Sequence, residues 1–350
     1  MKTALKTAGG DFEIRDVEAP RLPGPDWARM RVRVAGICGT DLRHWKVPEP
    51  QLAGKIMGHE LAGEIAEVGA DVSDLRPGDR VVLETVLGDD SCDWCRIQRY
   101  NLCPNLYPVR METVSRAYAE HVIGPAKKFY KLPDHVSFEE AALLDTFSVS
   151  LHAVHVSGLG INDRAAVVGA GPIGLGLVQL VKATGGDVIV TDVVDSALEM
   201  AKDLGADAVV NTKAGDGLRE VREFTGGRGA DIAFECVGGK SMPTTLAQAV
   251  SYTRIGGKVA IVGGFDSGPQ AIPLDWQHIQ MAEIQLIPSA SYSFWGIRPE
   301  MEMCLDMLAA GKMNAKKLIT HRFTLDQINE AFEIDADKEK NHSVFVAISI

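Results

Sequence analysis

The sequence predicts an α/β protein in which a doubly wound parallel sheet is joined to a β-rich, barrel-like region. Three features carry that expectation. The first third of the chain is written in short segments of alternating apolar and polar residues, separated by turn signals. From about Asn162 the pattern changes to short apolar strands alternating with helix-like stretches. The first of those strands runs directly into Gly169-Ala170-Gly171-Pro172-Ile173-Gly174. At 350 residues the chain exceeds the length at which single cores stop growing, so two domains are expected.

In the first region, Met30-Arg31-Val32-Arg33-Val34-Ala35 places Val32 and Val34 on one face and arginines on the other, the period of a half-buried strand. Similar segments run from Leu61 to Val68 and from Arg80 to Leu83, set apart by turn residues such as Arg76-Pro77-Gly78-Asp79. In the second region, residues 165–168, 187–190, 231–234 and 258–262 read as apolar strands. Residues 175–183, 196–204, 217–224 and 242–251 read as the helices between them. Repeated strand and helix alternation implies a parallel sheet covered on both faces. The pattern fades after Gly264, and residues 318–350 read as mixed strand and helix, with no internal repeat.

Composition narrows the class. A hydrophobic content of 46% and a charged content of 24% describe an ordinary globular protein. A net charge of -11, with no segment rich in Lys or Arg, argues against a nucleic-acid partner. Charged residues interrupt Met1 to Val17, leaving no apolar stretch of secretory-signal length. The longest charge-free run, between Arg164 and Lys182, contains the glycine motif and Pro172, which fit strand, turn and helix better than a membrane span. Six cysteines stand at 38, 92, 95, 103, 236 and 304, and three of them crowd into one short segment. Without a secretory signal, that clustering favours metal over disulfides and a cytoplasmic location.

A lone GxGxxG is weak evidence, but this one follows an apolar strand and opens a helix. Gly169 permits the tight turn, Gly171 lets backbone approach a pyrophosphate, and Gly174 allows close packing of helix on strand. Asp192 ends the second strand at about the distance where an acid contacts the adenosine ribose hydroxyls. Followed by Val193-Val194 rather than an arginine, it favours NAD over NADP. The alternative is that Asp192 caps the helix beginning near Ser196.

Cys38-Gly39-Thr40-Asp41 and Gly58-His59-Glu60 supply a thiolate and an imidazole, the ligands zinc prefers. Together with Gly63, Gly69, Gly78-Asp79-Arg80-Val81, the cysteine cluster and Gly169 to Gly174, in this order, they make the chain resemble the zinc-dependent medium-chain dehydrogenase/reductase family. The resemblance covers essentially the whole chain and is nearest the sorbitol, threonine and butanediol dehydrogenase branch. It implies a GroES-like catalytic domain built from residues 1–150 and a return segment, 287–350, with a Rossmann NAD-binding domain, 151–286, between them. It also implies a homotetramer or homodimer.

By position in that family, Cys38 and His59 bind catalytic zinc. Asp145 stands where relatives carry a third ligand, Cys or Glu, or else it caps the helix running toward His155. Glu60 is a direct ligand or a nearby carboxylate that exchanges with water. Asp41 is expected to accept a hydrogen bond from His59. Thr40 matches the residue that takes the substrate proton. Relatives continue that relay to a histidine where this chain has Arg43, so His44 or water carries the proton, unless His44 is a surface residue.

Cys92, Cys95 and Cys103 resemble the structural-zinc lobe, with Asp89 in place of its first cysteine. The lobe is read as an occupied Asp89, Cys92, Cys95, Cys103 site, with an empty lobe as the rival. Cys236 and Cys304 read as packing residues, as do His152 and His155. Family positions place the nicotinamide near Val237, Val262, Gly263, Ser289 and Ser291. Where the sorbitol branch has an Arg-Tyr pair, this chain has Ser291-Tyr292-Ser293-Phe294-Trp295, with Arg298 beyond. Trp45, Phe147, Phe294 and Trp295 are candidates for pocket walls, and equally for core or subunit contacts. The expected activity is zinc- and NAD-dependent oxidation of a secondary alcohol of a polyol, sugar or similar small molecule. The rivals are a zinc-free quinone or enone reductase and a non-catalytic nucleotide-binding protein.

Overall fold

The computed structural model describes residues 1–106, 113, 114, 116–264 and 271–350. The chain divides into two compact units. One comprises residues 1–145, 296–310 and 315–350, and the other residues 146–295 and 311–314.

The first unit is built on a seven-stranded sheet. Its path runs Ile319–Thr324, Phe345–Ser349, Trp27–Gly36, Glu60–Val68, Arg80–Leu83 and Phe129–Lys131, with His121–Pro125 pairing to Trp27–Gly36. The alternation read at Met30 to Ala35 is realised. Val32 and Val34 are buried, while Arg33 on the opposite face pairs with Glu64 at 2.6 Å. The C-terminal strands Ile319–Thr324 and Phe345–Ser349 join this sheet through Trp27–Gly36. The helix Ile328–Ala336 between them inserts Phe332 into the core against Phe12, at a centroid distance of 4.8 Å, and Trp45, at 5.9 Å. Apolar burial of this kind stabilises by roughly 25 cal/mol per Å².

The second unit is a six-stranded, wholly parallel sheet. Its order is Ala208–Asn211, Asp187–Asp192, Arg164–Val168, Ala230–Glu235, Thr253–Ile261 and Gln285–Pro288. Numbered along the chain this is 3-2-1-4-5-6, the doubly wound order. The helices Pro172–Ala183, Asp195–Asp203, Gly217–Phe224 and Met242–Tyr252 fall where the sequence pattern puts them. Two strands escaped that pattern: Ala208–Asn211, which is only partly buried, and Gln285–Pro288, which carries polar and imino residues. Both lie at sheet edges, where the continuous apolar run of a central parallel strand is not required. Among the described residues, no helix is long and apolar enough to cross a membrane.

Candidate active site and dinucleotide loop

Cys38 is the N-cap of the short helix Gly39–His44. Asp41 at the third helical position turns back so that the Cys38 N–H donates to Asp41 Oδ2 at 3.3 Å, half of a capping box. His59 immediately precedes the strand Glu60–Val68, which Glu60 opens, and Gly36 faces Glu60 in the antiparallel register. A side chain at Gly36 would stand 2.6 Å from Glu60 Oε2, so a glycine is what admits the carboxylate there.

The ligand atoms of Cys38, His59 and Glu60 all lie within 4.8 Å of one another. A sulfur, an imidazole nitrogen and a carboxylate at that spacing match the donors and reach of a zinc ion with bonds of about 2.0–2.3 Å. Burial, then the carboxylates of Glu60 and Asp41, push the Cys38 thiol well above its ordinary pKa. Negative charge is therefore crowded around a sulfur that a metal would need as thiolate, and a bound cation is what relieves the crowding.

Thr40 Oγ1 stands 3.4 Å from His59 Nε2. Nδ1 of His59 lies 3.8 Å from Asp41 Oδ2, an ion-pair spacing beyond hydrogen-bond range, where the sequence reading expected a hydrogen bond. That oxygen instead accepts from the Tyr118 hydroxyl at 3.0 Å. No local motif marks Tyr118, and the sequence reading missed it. His44 is half-buried, with its side chain 31% exposed, and its Nδ1 lies 2.9 Å from Glu49 Oε2. Buried Lys6 donates to the His44 carbonyl, which ends the helix carrying Thr40.

Asp145 is buried in the first turn of the helix Leu144–Ser157. It lies outside the mutual 4.8 Å spacing of Cys38, His59 and Glu60. It approaches them through Thr85, whose hydroxyl oxygen is 3.2 Å from the His59 carbonyl and 3.4 Å from Asp145 Oδ1.

The second cluster comprises Asp89, Cys92, Cys95 and Cys103, again with ligand atoms within 4.8 Å of one another. Cys92 and Cys95 sulfurs are 3.5 Å apart, and Asp89 Oδ1 is 3.5 Å from the Cys95 sulfur. Those separations are too long for a disulfide and close to the edge of a tetrahedron with about 2.3 Å zinc–sulfur bonds. All six cysteines are free thiols. The backbone of Gly88 packs on the cluster so tightly that a Cβ there would lie 2.4 Å from the Cys95 sulfur. Asp89 is held well below the usual carboxylate range by the Ser91 N–H, then by Asn105 and the Cys92 N–H. The Cys95 thiol is pushed up to about 12 by burial and by its cysteine neighbours, so here too a cation is needed to make it a ligand.

Among the described residues these are the two groups with metal-binding geometry, and Cys236, Cys304, His152 and His155 belong to neither. His155 stacks on Trp295 at 4.7 Å, and Phe147 is fully buried. Arg298 is engaged by Asp306 at 2.6 Å.

At the glycine loop, Gly169 takes a φ of +102°, open to glycine at no steric cost. A Cβ at Gly174 would lie 1.9 Å from the Gly169 carbonyl, so helix and strand meet through bare backbone. Gly171 caps the helix ahead of Pro172, and a Cβ there meets nothing within 4 Å. That open backbone at a helix N-terminus suits a phosphate. Ile173 anchors the turn by accepting the Ser150 hydroxyl at 2.9 Å. Asp192 Oδ2 accepts the Ala170 N–H at 2.6 Å, tying the loop to the end of the second strand. Its Oδ1 accepts the N–H groups of Val193 at 2.6 Å and of Val194 at 2.9 Å, Val194 being the N-cap of the helix Asp195–Asp203, which has no side-chain cap of its own. Val237, Val262, Gly263, Ser289 and Ser291 all follow the carboxyl ends of their strands, Ser291 with a φ of +55°.

Two family models match the chain: an alcohol dehydrogenase GroES-like domain over residues 24–134 and a zinc-binding dehydrogenase over residues 172–310. L-idonate 5-dehydrogenase of Vitis vinifera is 36% identical over 340 residues, covering 93% of this chain and 88% of the relative. Sorbitol dehydrogenase of Bacillus subtilis (strain 168) is 35% identical over 342 residues, covering 95% and 93%. An alcohol dehydrogenase of Escherichia coli CFT073, complexed with NADH, superposes with a TM-score of 0.86 at 27% identity over 100% of this chain and 99% of that one. With the donor cluster, the glycine loop and the whole-length similarity agreeing, the chain belongs to the zinc-binding alcohol dehydrogenase family, in its sorbitol dehydrogenase-like branch.

Proposed function

We propose that this dehydrogenase uses zinc and NAD to oxidise a secondary hydroxyl of a polyol, sugar or related small molecule to a ketone, reversibly. The observation that carries the reading is the grouping of Cys38, His59 and Glu60 within 4.8 Å of one another, with the Thr40 hydroxyl 3.4 Å from the His59 ring. Sorbitol and L-idonate, named in the relatives, are polyhydroxylated, which supports that substrate class.

When bound, zinc supplies a Lewis acid that lowers the pKa of a coordinated hydroxyl, and NAD supplies the hydride acceptor. Cys38, His59 and Glu60 would hold the metal, with Asp145 as the further carboxylate behind Thr85. Thr40 would accept the substrate proton, and His44, oriented by Glu49, would pass it on. Asp192 would take the adenosine ribose hydroxyls and repel a 2'-phosphate, favouring NAD. Gly169, Gly171, Pro172, Ile173 and Gly174 would hold the pyrophosphate. Val237, Val262, Gly263, Ser289 and Ser291 would border the nicotinamide. Asp89, Cys92, Cys95 and Cys103 would hold a structural zinc.

A homodimer or homotetramer suits the edge strand Gln285–Pro288, and the exposed apolar side chains of Ile255, Trp276 and Met281 on the same unit support it. Free thiols in both clusters fit the reducing cytoplasm.

NADH formation measured against a panel of polyols tests the proposal. Activity with at least one polyol, abolished by Cys38→Ser and retained by Cys304→Ser, is the expected result. Undiminished turnover in Cys38→Ser would remove the metal from the chemistry.

A further inference from the structure

One carboxylate that this chemistry leaves unused lies at the dinucleotide edge of the parallel sheet. Glu235 ends the strand Ala230–Glu235, which pairs on one side with Arg164–Val168 and on the other with Thr253–Ile261. Strand order reverses between Arg164–Val168 and Ala230–Glu235, and a doubly wound sheet takes its dinucleotide at the carboxyl ends of strands at that reversal. Glu235 therefore borders the crevice directly opposite the glycine loop. A Cβ at Gly169 would meet Val237, two residues further along, at 2.7 Å.

The Glu235 side chain is 0% exposed. Its Oε1 accepts the N–H groups of Val237 and Gly238, each at 3.0 Å, and the Thr245 hydroxyl at 2.7 Å. Its main-chain carbonyl accepts the N–H groups of Val262 and Gly263, each at 2.9 Å. Gly239 N–H then donates to the Gly264 carbonyl at 2.8 Å, closing one loop on the other. The second carboxylate oxygen, Oε2, is buried without a hydrogen-bond partner. A Cβ at Gly263 would lie 2.5 Å from that oxygen and 2.4 Å from Gly238 N.

Burying a carboxylate is unfavourable by several kcal/mol unless donors compensate, and here the donors gather on one oxygen only. A glutamate serving packing alone would be better replaced by an apolar side chain. What this one does is gather two loops from neighbouring strands onto a single residue and set their separation. We infer that Glu235 is a positioning residue for the nicotinamide half of the dinucleotide: it shapes loops 237–239 and 262–264, while the adenylate half depends on Gly169 to Gly174 and Asp192. The inference rests on the NAD reading above and divides the dinucleotide between the two halves of the sheet.

The test compares NADH affinity, by fluorescence titration, with ADP-ribose affinity, by calorimetry, on the full-length protein. The variants are Glu235→Gln and Glu235→Ala. Each is expected to weaken NADH binding by about tenfold or more while ADP-ribose binding stays within about twofold of wild type. The near-isosteric Glu235→Gln carries the test if Glu235→Ala fails to fold. An equal fall in both affinities, or no fall in either, would overturn the positioning role while leaving the cofactor reading intact. A wild-type chain that binds neither ligand would overturn the cofactor reading and this inference with it.

Discussion

The hydroxyl of Tyr118 lies 3.0 Å from Oδ2 of Asp41, and that same oxygen stands 3.8 Å from Nδ1 of His59. Tyr118 is fully buried, and burial followed by the Asp41 charge raises its pKa well above the ordinary phenol value, so it acts as a fixed donor. It holds the carboxylate that faces the imidazole. Removing such a supporting group from a metal site lowers metal affinity by about 10–100-fold. Asp41→Asn is expected to fall in that range, and Tyr118→Phe to fall at its lower end. Zinc competition with a chromophoric chelator reads both, and unchanged affinity in Asp41→Asn would remove Asp41 from the site.

The three-thiol, one-carboxylate lobe predicts two zinc ions per chain in wild type, with Asp89→Ala losing one. Asn105→Ala, which removes the 2.7 Å amide donor to Asp89 Oδ2, is expected to weaken that site without emptying it. Elemental analysis after dialysis against a weak chelator gives the stoichiometry. One zinc in wild type, unchanged by Asp89→Ala, would mean that the lobe binds none.

Near that lobe, Glu84 is buried with its Oε1 accepting Lys128 Nζ at 2.9 Å and the Tyr100 hydroxyl, and its Oε2 accepting the Tyr130 hydroxyl at 2.7 Å. Lys128 also sits 3.5 Å over the Tyr100 ring. Deleting one member of a buried ion pair costs about 3–5 kcal/mol, whereas replacing both partners by apolar residues is often neutral. Lys128→Met should therefore lower stability in urea by that order. The Glu84→Leu, Lys128→Met double variant should lose less than the sum of the single changes, and strict additivity would show that the pair does not act as a unit.

Gly174→Ala places a methyl group 1.9 Å from the Gly169 carbonyl, a contact only a displaced helix relieves. NADH binding should weaken by about 100-fold or more while zinc content is kept, because the loop geometry is set by that contact. Asp192→Ala should instead lower the NAD to NADP preference by about tenfold, as the carboxylate that repels a 2'-phosphate is gone. Equal discrimination in wild type and Asp192→Ala would break the ribose assignment.

Asp79 is one contributor to the pH dependence of stability. Asp79 is held below its usual pKa chiefly by the Lys131 ammonium at 2.9 Å, against a smaller opposing effect of burial and with help from the Arg76 N–H. A carboxylate depressed in the folded state stabilises the fold above its unfolded pKa, near 3.9, and that contribution fades as pH falls through the lower folded value. Asp79→Asn should flatten the acid side of the stability curve, and Lys131→Met should do so in part. Urea midpoints between neutral pH and about pH 3 provide the check.

Periodicity and spacing alone reveal the parallel sheet, the four helices between residues 172 and 252, the glycine loop and the cysteine cluster. These features are local: a strand facing apolar surroundings on both sides must be apolar throughout, and a helix that meets bare backbone needs glycine at the contact. Folding over long range settled the rest. Tyr118 reaches Asp41 from 77 positions away, and Lys6 reaches the end of the Thr40 helix from 38 positions away. Glu60, rather than Asp145, shares the 4.8 Å group with Cys38 and His59. The donors to Glu235 converge from two loops and a helix, and no motif announces them. A sequence records which groups are available, while partners so far apart along the chain meet only when packing brings separate strands and loops into register.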